Sequence, residues 1–161
     1  MNQQNKPVYD PINDGVDHIW LSPKGRTALG QKLFIGAHRR FLDPTHGWFS
    51  SIMAFWLWFD SGRVEGLRDI HHENMLRSSM FGLKDTPGNR TEVCRVLRAS
   101  ILNDPQLCDL LRTSTLPFAA YEVVKYPLRN EDVIYPLLDR EWYVNALEDI
   151  RIFLKNQRIG G

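Results

Sequence analysis

Residues 48–62 read WFSSIMAFWLWFDSG. From Ile52 to Phe59 there is no charge, and Phe55, Trp56, Trp58 and Phe59 fall within five positions. A helix over this run has almost no polar face, so it must be covered on most of its sides. Ser50 or Ser51 can cap its start, and Gly62 can stop it just past Asp60. The segment therefore predicts a central helix around which the rest of the chain is built.

The remaining composition is that of an ordinary globular chain. The 161 residues are 43% hydrophobic and 24% charged, with a net charge of +1. That suits one domain with one core, and gives no overall field to draw the protein to nucleic acid or an acidic membrane. No apolar run approaches the roughly 20 residues that span a bilayer. The opening MNQQNKPVYD has no apolar stretch of the kind a secretion signal carries. Cys94 and Cys108 are too few for a disulfide framework and fit no metal or redox spacing, so they are expected as reduced, buried thiols in a cytoplasmic protein.

Residues 1–24 are polar, carry three prolines and lack periodicity, which predicts an extended N-terminal arm ahead of a folded domain over 25–161. Val8, Tyr9, Ile19 and Trp20 are its apolar anchors. Such an arm either lies on its own domain or reaches a neighbouring subunit. Turn signals at Asp43-Pro44 and His46-Gly47 predict short strands or irregular chain over 25–50. Helices are predicted over 64–70, 73–81, 91–102, 105–112 and 140–156, with 83–89 a loop. The start at Asp104-Pro105 is the clearest, an N-cap followed by a proline where a missing N–H costs nothing. Residues 118–126 read as a strand, and 130–139 as a loop or weak strand. The expected fold class is a helix-rich α+β domain with a small sheet.

Few residues suggest chemistry. His71, His72 and Glu73 form the one tight group of metal-ligand types, but adjacent helical side chains diverge by about 100°, so no metal is expected. His38, Arg39 and Arg40 form a basic group that could contact a phosphate, or an ordinary solvated turn. There is no phosphate-binding glycine loop, nucleophile elbow or paired C-x-x-C, and no cofactor is expected.

The ordered set GRTALGQKL, GAHRRF, WFSSIMAFWLW, LRASILNDPQLCDLLRTSTLPFAAYEVV and ALEDIRIFLK resembles the NADAR, or YbiA-like, family, nearest its stand-alone phage and bacterial branch. The likeness covers residues 25–156. It implies a YbiA-like α+β fold and N-glycosidase activity on ADP-ribosylated or ribosylated amino groups. In that family a Leu-Ser-Asn-Phe segment leads to a Ser-Val-Glu-His-Tyr-Tyr-Gln helix, whose glutamate is the obvious group to stabilise the cationic sugar or activate water. Laid on this chain, the glutamate position is Met53, the histidine Ala54 and the glutamine Leu57; Phe55 falls on the first tyrosine, and the Ser-Asn pair falls on Phe34 and Ile35. Methionine cannot accept a proton, and loss of a general acid or base costs about 10²- to 10⁴-fold in rate.

The resemblance therefore implies a pocket remnant of Phe34, Ile35, Ala54, Phe55 and Leu57 with no catalytic residue. Asp60 and Glu65 are the fallback carboxylates. The expected function is that of a catalytically degenerate structural or interaction protein. Its partner is another protein or a second copy, met through the arm, with ADP-ribose binding weak or absent. It would work in the host cytoplasm, or in the virion for a phage-encoded chain. The alternatives are an active N-glycosidase and, resting only on His38, Arg39, Arg40 and scattered arginines, a nucleic-acid binder.

Overall fold

The aromatic run forms helix α2, Ile52–Asp60, in the computed structural model, which describes residues 8–70 and 84–157. Its start is fixed by Ser51, whose Oγ accepts from the Ala54 amide at 3.0 Å. Its end is fixed by Gly62, at φ +83°, a left-handed conformation that costs glycine little. Ala54, Phe55 and Trp56 are at most 1% exposed, as a helix without a polar face requires.

Before α2 come strand β1 (Ile19–Trp20), helix α1 (Ala28–Leu33) and the hairpin strands β2 (Phe41–Asp43) and β3 (Gly47–Phe49). After it come helices α3 (Pro87–Leu102) and α4 (Pro105–Thr113), strands β4 (Phe118–Ala119), β5 (Tyr121–Tyr126) and β6 (Glu131–Pro136), and helix α5 (Glu141–Gln157). The strands make three two-stranded sheets among the described residues: β1 parallel to β4, and the antiparallel pairs β2–β3 and β5–β6. The architecture is mixed α+β. No helix among the described residues is long and apolar enough to cross a membrane.

One core joins α2, α3, α4 and α5 through fully buried side chains that include Phe49, Phe55, Leu97, Ile101, Leu111 and Leu147. Phe49 meets Phe55 edge-on at 5.1 Å and Trp58 at 5.1 Å, the arrangement aromatic quadrupoles favour. A smaller cluster of Trp20, Ala119 and Tyr121 lies beside it.

Several expectations need correction. Residues 28–33 form a helix, started by Thr27, whose Oγ1 accepts from the Gly30 amide at 2.9 Å. Over 64–70 there is only a short 3-10 turn, Glu65–Leu67. Helix α3 begins one turn early because Thr86 caps it and Pro87 occupies its first turn, so Pro87, Gly88 and Asn89 are helical rather than loop. The 118–126 strand breaks at Ala120 into β4 and β5, and 131–136 pairs fully with β5. The helix predicted over 73–81 and the His71, His72, Glu73 group lie outside the described residues. Both cysteines are free, with Cys108 buried and Cys94 half-buried.

The N-terminal segment is not a uniform strap. Ile19 and Trp20 are 3% and 7% exposed and pair with Phe118 and Ala119. Asp14 is buried beneath them, accepting from the Trp20 amide at 2.9 Å and the Arg26 amide at 2.6 Å. Residues 14–22 are thus tied into the fold through their own backbone, while Val8 is 72% exposed.

Candidate functional site

Five separated stretches of chain converge on one cavity of about 370 Å³. The chain leaving α1 supplies Phe34, Ile35 and Gly36; the first turn of α2 supplies Met53; the start of α5 and the short 3-10 turn before it supply Tyr143 and Arg140; β5 supplies Tyr121 and Glu122; the chain after β1 supplies residues 21–24. The first two are locked together, since the Met53 amide donates to the Ile35 carbonyl at 2.9 Å. That bond satisfies one of the amides left open at a helix N-terminus. The third is locked to the first, since the Tyr143 hydroxyl donates to the Leu33 carbonyl at 2.7 Å. Burial pushes the Tyr143 hydroxyl well above the ordinary tyrosine range, with Arg39 and Arg140 opposing it.

Tyr121 forms the wall between this cavity and a neighbouring one of about 610 Å³ lined by Val8, Tyr9 and Leu138, among others. It is held on every side. Its ring stacks on Trp20 at 4.9 Å, its carbonyl accepts from Trp20 Nε1 at 2.9 Å, and its hydroxyl meets His18 Nε2 at 2.7 Å. His18 is fully buried, with Nδ1 2.5 Å from Asp17 Oδ1 and Tyr9 stacked on its ring at 4.6 Å. Burial raises the Tyr121 hydroxyl far above its usual value, helped by Asp14, Asp10 and Asp17. Tyr121 is therefore a neutral structural wall.

The lining is chemically lopsided. Leu21, Phe34, Ile35, Met53, Val123 and Leu137 make an apolar body, while the charged groups are Lys24, Glu122 and Arg140. Glu122 and Lys24 are exposed, so the carboxylate is a rim group rather than one held against a reacting atom. Such a cavity can hold a small apolar body and discriminate by charge, but offers no desolvated acid or base at the Met53 wall.

The residues singled out from the sequence are divided by the fold. Phe34, Ile35 and Met53 meet at the cavity; Ala54, Phe55 and Leu57 are buried in the core and do not line it. Asp60 accepts from the Lys84 amide at 3.2 Å and Asn89 Nδ2 at 3.1 Å. Glu65 accepts from Arg68 and Trp58 Nε1, and those bonds hold its carboxyl below the usual range. Neither lines the cavity. The basic group does not converge. Arg39 runs inward to Ser100, with its Nη2 3.0 Å from Oγ, and burial lowers its pKa; Arg40 lies over the Trp48 ring at 5.0 Å, and His38 is exposed. Among the described residues no group of metal-ligating side chains forms. Tyr121, Glu122, Arg140 and Tyr143 were missed by sequence reasoning. Of these, Tyr143 could have been found, since it stands four residues before Leu147 on the buried stripe of α5.

Comparison with known proteins finds no matching family model, no matching curated protein and no matching solved structure.

Proposed function

We propose that the protein is a catalytically silent, NADAR-like (YbiA-like) binding protein whose cavity is the remnant of a glycosidase site. One observation carries the reading. Phe34, Ile35 and Met53, the positions that the resemblance assigns to the motif, line a single cavity and are joined by the 2.9 Å bond from the Met53 amide to the Ile35 carbonyl. A site of that lineage needs a carboxylate against the sugar, and at the motif position this one has a thioether. The fallback carboxylates Asp60 and Glu65 are engaged elsewhere. The test is incubation with ADP-ribosylated guanosine and detection of free ADP-ribose. None is expected; release that disappears in Glu122→Gln would make the protein an active glycosidase with its carboxylate on β5.

The interaction part of the reading falls on the outer N-terminal segment. Val8, Ile12 and Val16 are 72%, 64% and 72% exposed, whereas Ile19 and Trp20 are committed to the core. Contact with a protein partner or a second copy is therefore assigned to 8–16. Light scattering of a Val8, Ile12, Val16 triple serine variant tests it, and an unchanged mass and partner profile would remove this part.

A further inference from the structure

Arg140 differs from the arginines that carry close ion pairs. Arg68, Arg90, Arg95, Arg112 and Arg151 each have a carboxylate oxygen within 3.2 Å. Arg140 has only Asp139, at 3.9 Å, and the Asp139 side chain is itself 68% exposed. Among the described residues its guanidinium makes no hydrogen bond, and it packs over the Trp56 ring at 5.4 Å. It is only 24% exposed, and it lines the cavity. A planar five-donor fork held over an aromatic ring, partly out of water and without a bidentate partner, is a receptor for a carboxylate.

The rest of the wall narrows the ligand. Lys24 and Glu122, both exposed at the rim, are opposite in sign, which leaves Arg140, loosely paired with Asp139 at 3.9 Å, as the excess positive charge of the lining. The apolar side is set by Phe34, Ile35 and Met53. A volume of about 370 Å³ lies at the small end of small-molecule sites, roughly 300 to 1,000 Å³, enough for one or two fused rings. A sugar-rich ligand would bury hydroxyls against this wall without partners, which is costly. We infer that the cavity takes a small amphipathic monoanion, an aromatic carboxylate with its charge on Arg140 and its rings against Phe34, Ile35 and Met53. This rests on reading the cavity as a binding site.

The probe is 2-naphthoate, titrated into full-length protein carrying ¹³C-methyl methionine. The chain has four methionines, and Met53→Leu assigns the signal that reports the cavity. The Met53 methyl should shift saturably with naphthoate. Affinity should fall about tenfold or more for 2-naphthamide, which keeps the rings and loses the charge, and similarly for Arg140→Gln. No saturable shift at Met53, or equal affinity for acid and amide, overturns the proposal. The acid and amide comparison uses unaltered protein, so it decides even if Arg140→Gln fails to fold. Release of ADP-ribose in the glycosidase assay would instead defeat the silent-site reading, whatever naphthoate does.

Discussion

Substituting alanine for Gly30 sets two effects against each other. In an exposed helix the change gains about 1 kcal/mol of helix propensity. Here α1 lies against β1, and a Cβ at Gly30 would sit 2.2 Å from the Trp20 carbonyl oxygen and 3.0 Å from Thr27 Oγ1. The first distance is about 1 Å short of van der Waals contact. Trp20 cannot retreat cheaply. Its amide is bonded to Asp14, its ring is stacked on Tyr121, and its neighbours Ile19 and Leu21 donate to Pro117 and Ala119. Overpacking against such a backbone costs about 3 kcal/mol, the upper part of the usual range. The clash wins, leaving about 2 kcal/mol of net destabilisation. For a domain of this size that lowers Tm by about 4 to 8 °C, measurable by thermal melting and urea titration followed by tryptophan fluorescence. A Gly30→Ala protein as stable as the parent, or more so, would refute the packing of α1 on β1 and with it the rim of the cavity.

Trp56→Ala should cost about 3 to 5 kcal/mol, because the side chain is 1% exposed in the main core; an unchanged melting curve refutes it. Asp14→Ala leaves the Trp20 and Arg26 amides without their acceptor and should cost about 1 to 3 kcal/mol by urea titration. Deleting residues 1–22 removes β1 and the partners of Tyr121, so the product should lack a cooperative melting transition; a well-folded truncated protein contradicts this. The contribution of Tyr121 and Tyr143 to stability should be whole below the ordinary tyrosine value of about 10 and fall as pH rises above it. Tyr121 and Tyr143 remain protonated there in the folded state, mainly through burial, while the unfolded chain loses those protons. Tyr143→Phe should make the alkaline fall shallower, and an unchanged slope in urea titrations at rising pH would count against the burial assigned to it.

Helices α2, α4 and α5 were legible because their signals are local: a serine cap before an apolar run, Asp104-Pro105, and the Leu147, Ile150, Leu154 spacing. Helix α1 was not, since six residues with an internal glycine give too short a window for periodicity, and its reason for existing is contact with Trp20. Strand β1 was read as arm for a related cause. A two-residue parallel pairing between Ile19 and Phe118 has no local pattern, and the polar residues around it conceal Asp14 and His18, both buried. The cavity was half legible. Phe34, Ile35 and Met53 came from the resemblance, while Arg140, Glu122 and Tyr143 reach the site only through the packing of β5 and α5. The same resemblance placed Ala54, Phe55 and Leu57 in the remnant, but helical geometry turns them away from the Met53 face into the core.

The Met53 methyl signal gives the most direct test of the proposal that the cavity does not take a sugar nucleotide. ADP-ribose would have to bury its ribose hydroxyls against Phe34, Ile35 and Met53, at about 1 to 3 kcal/mol for each one left unpaired. Titration to roughly millimolar ADP-ribose, a weak-binding limit near −4 kcal/mol, should therefore leave the Met53 methyl unmoved. A saturable shift of that signal at micromolar ADP-ribose would contradict the account.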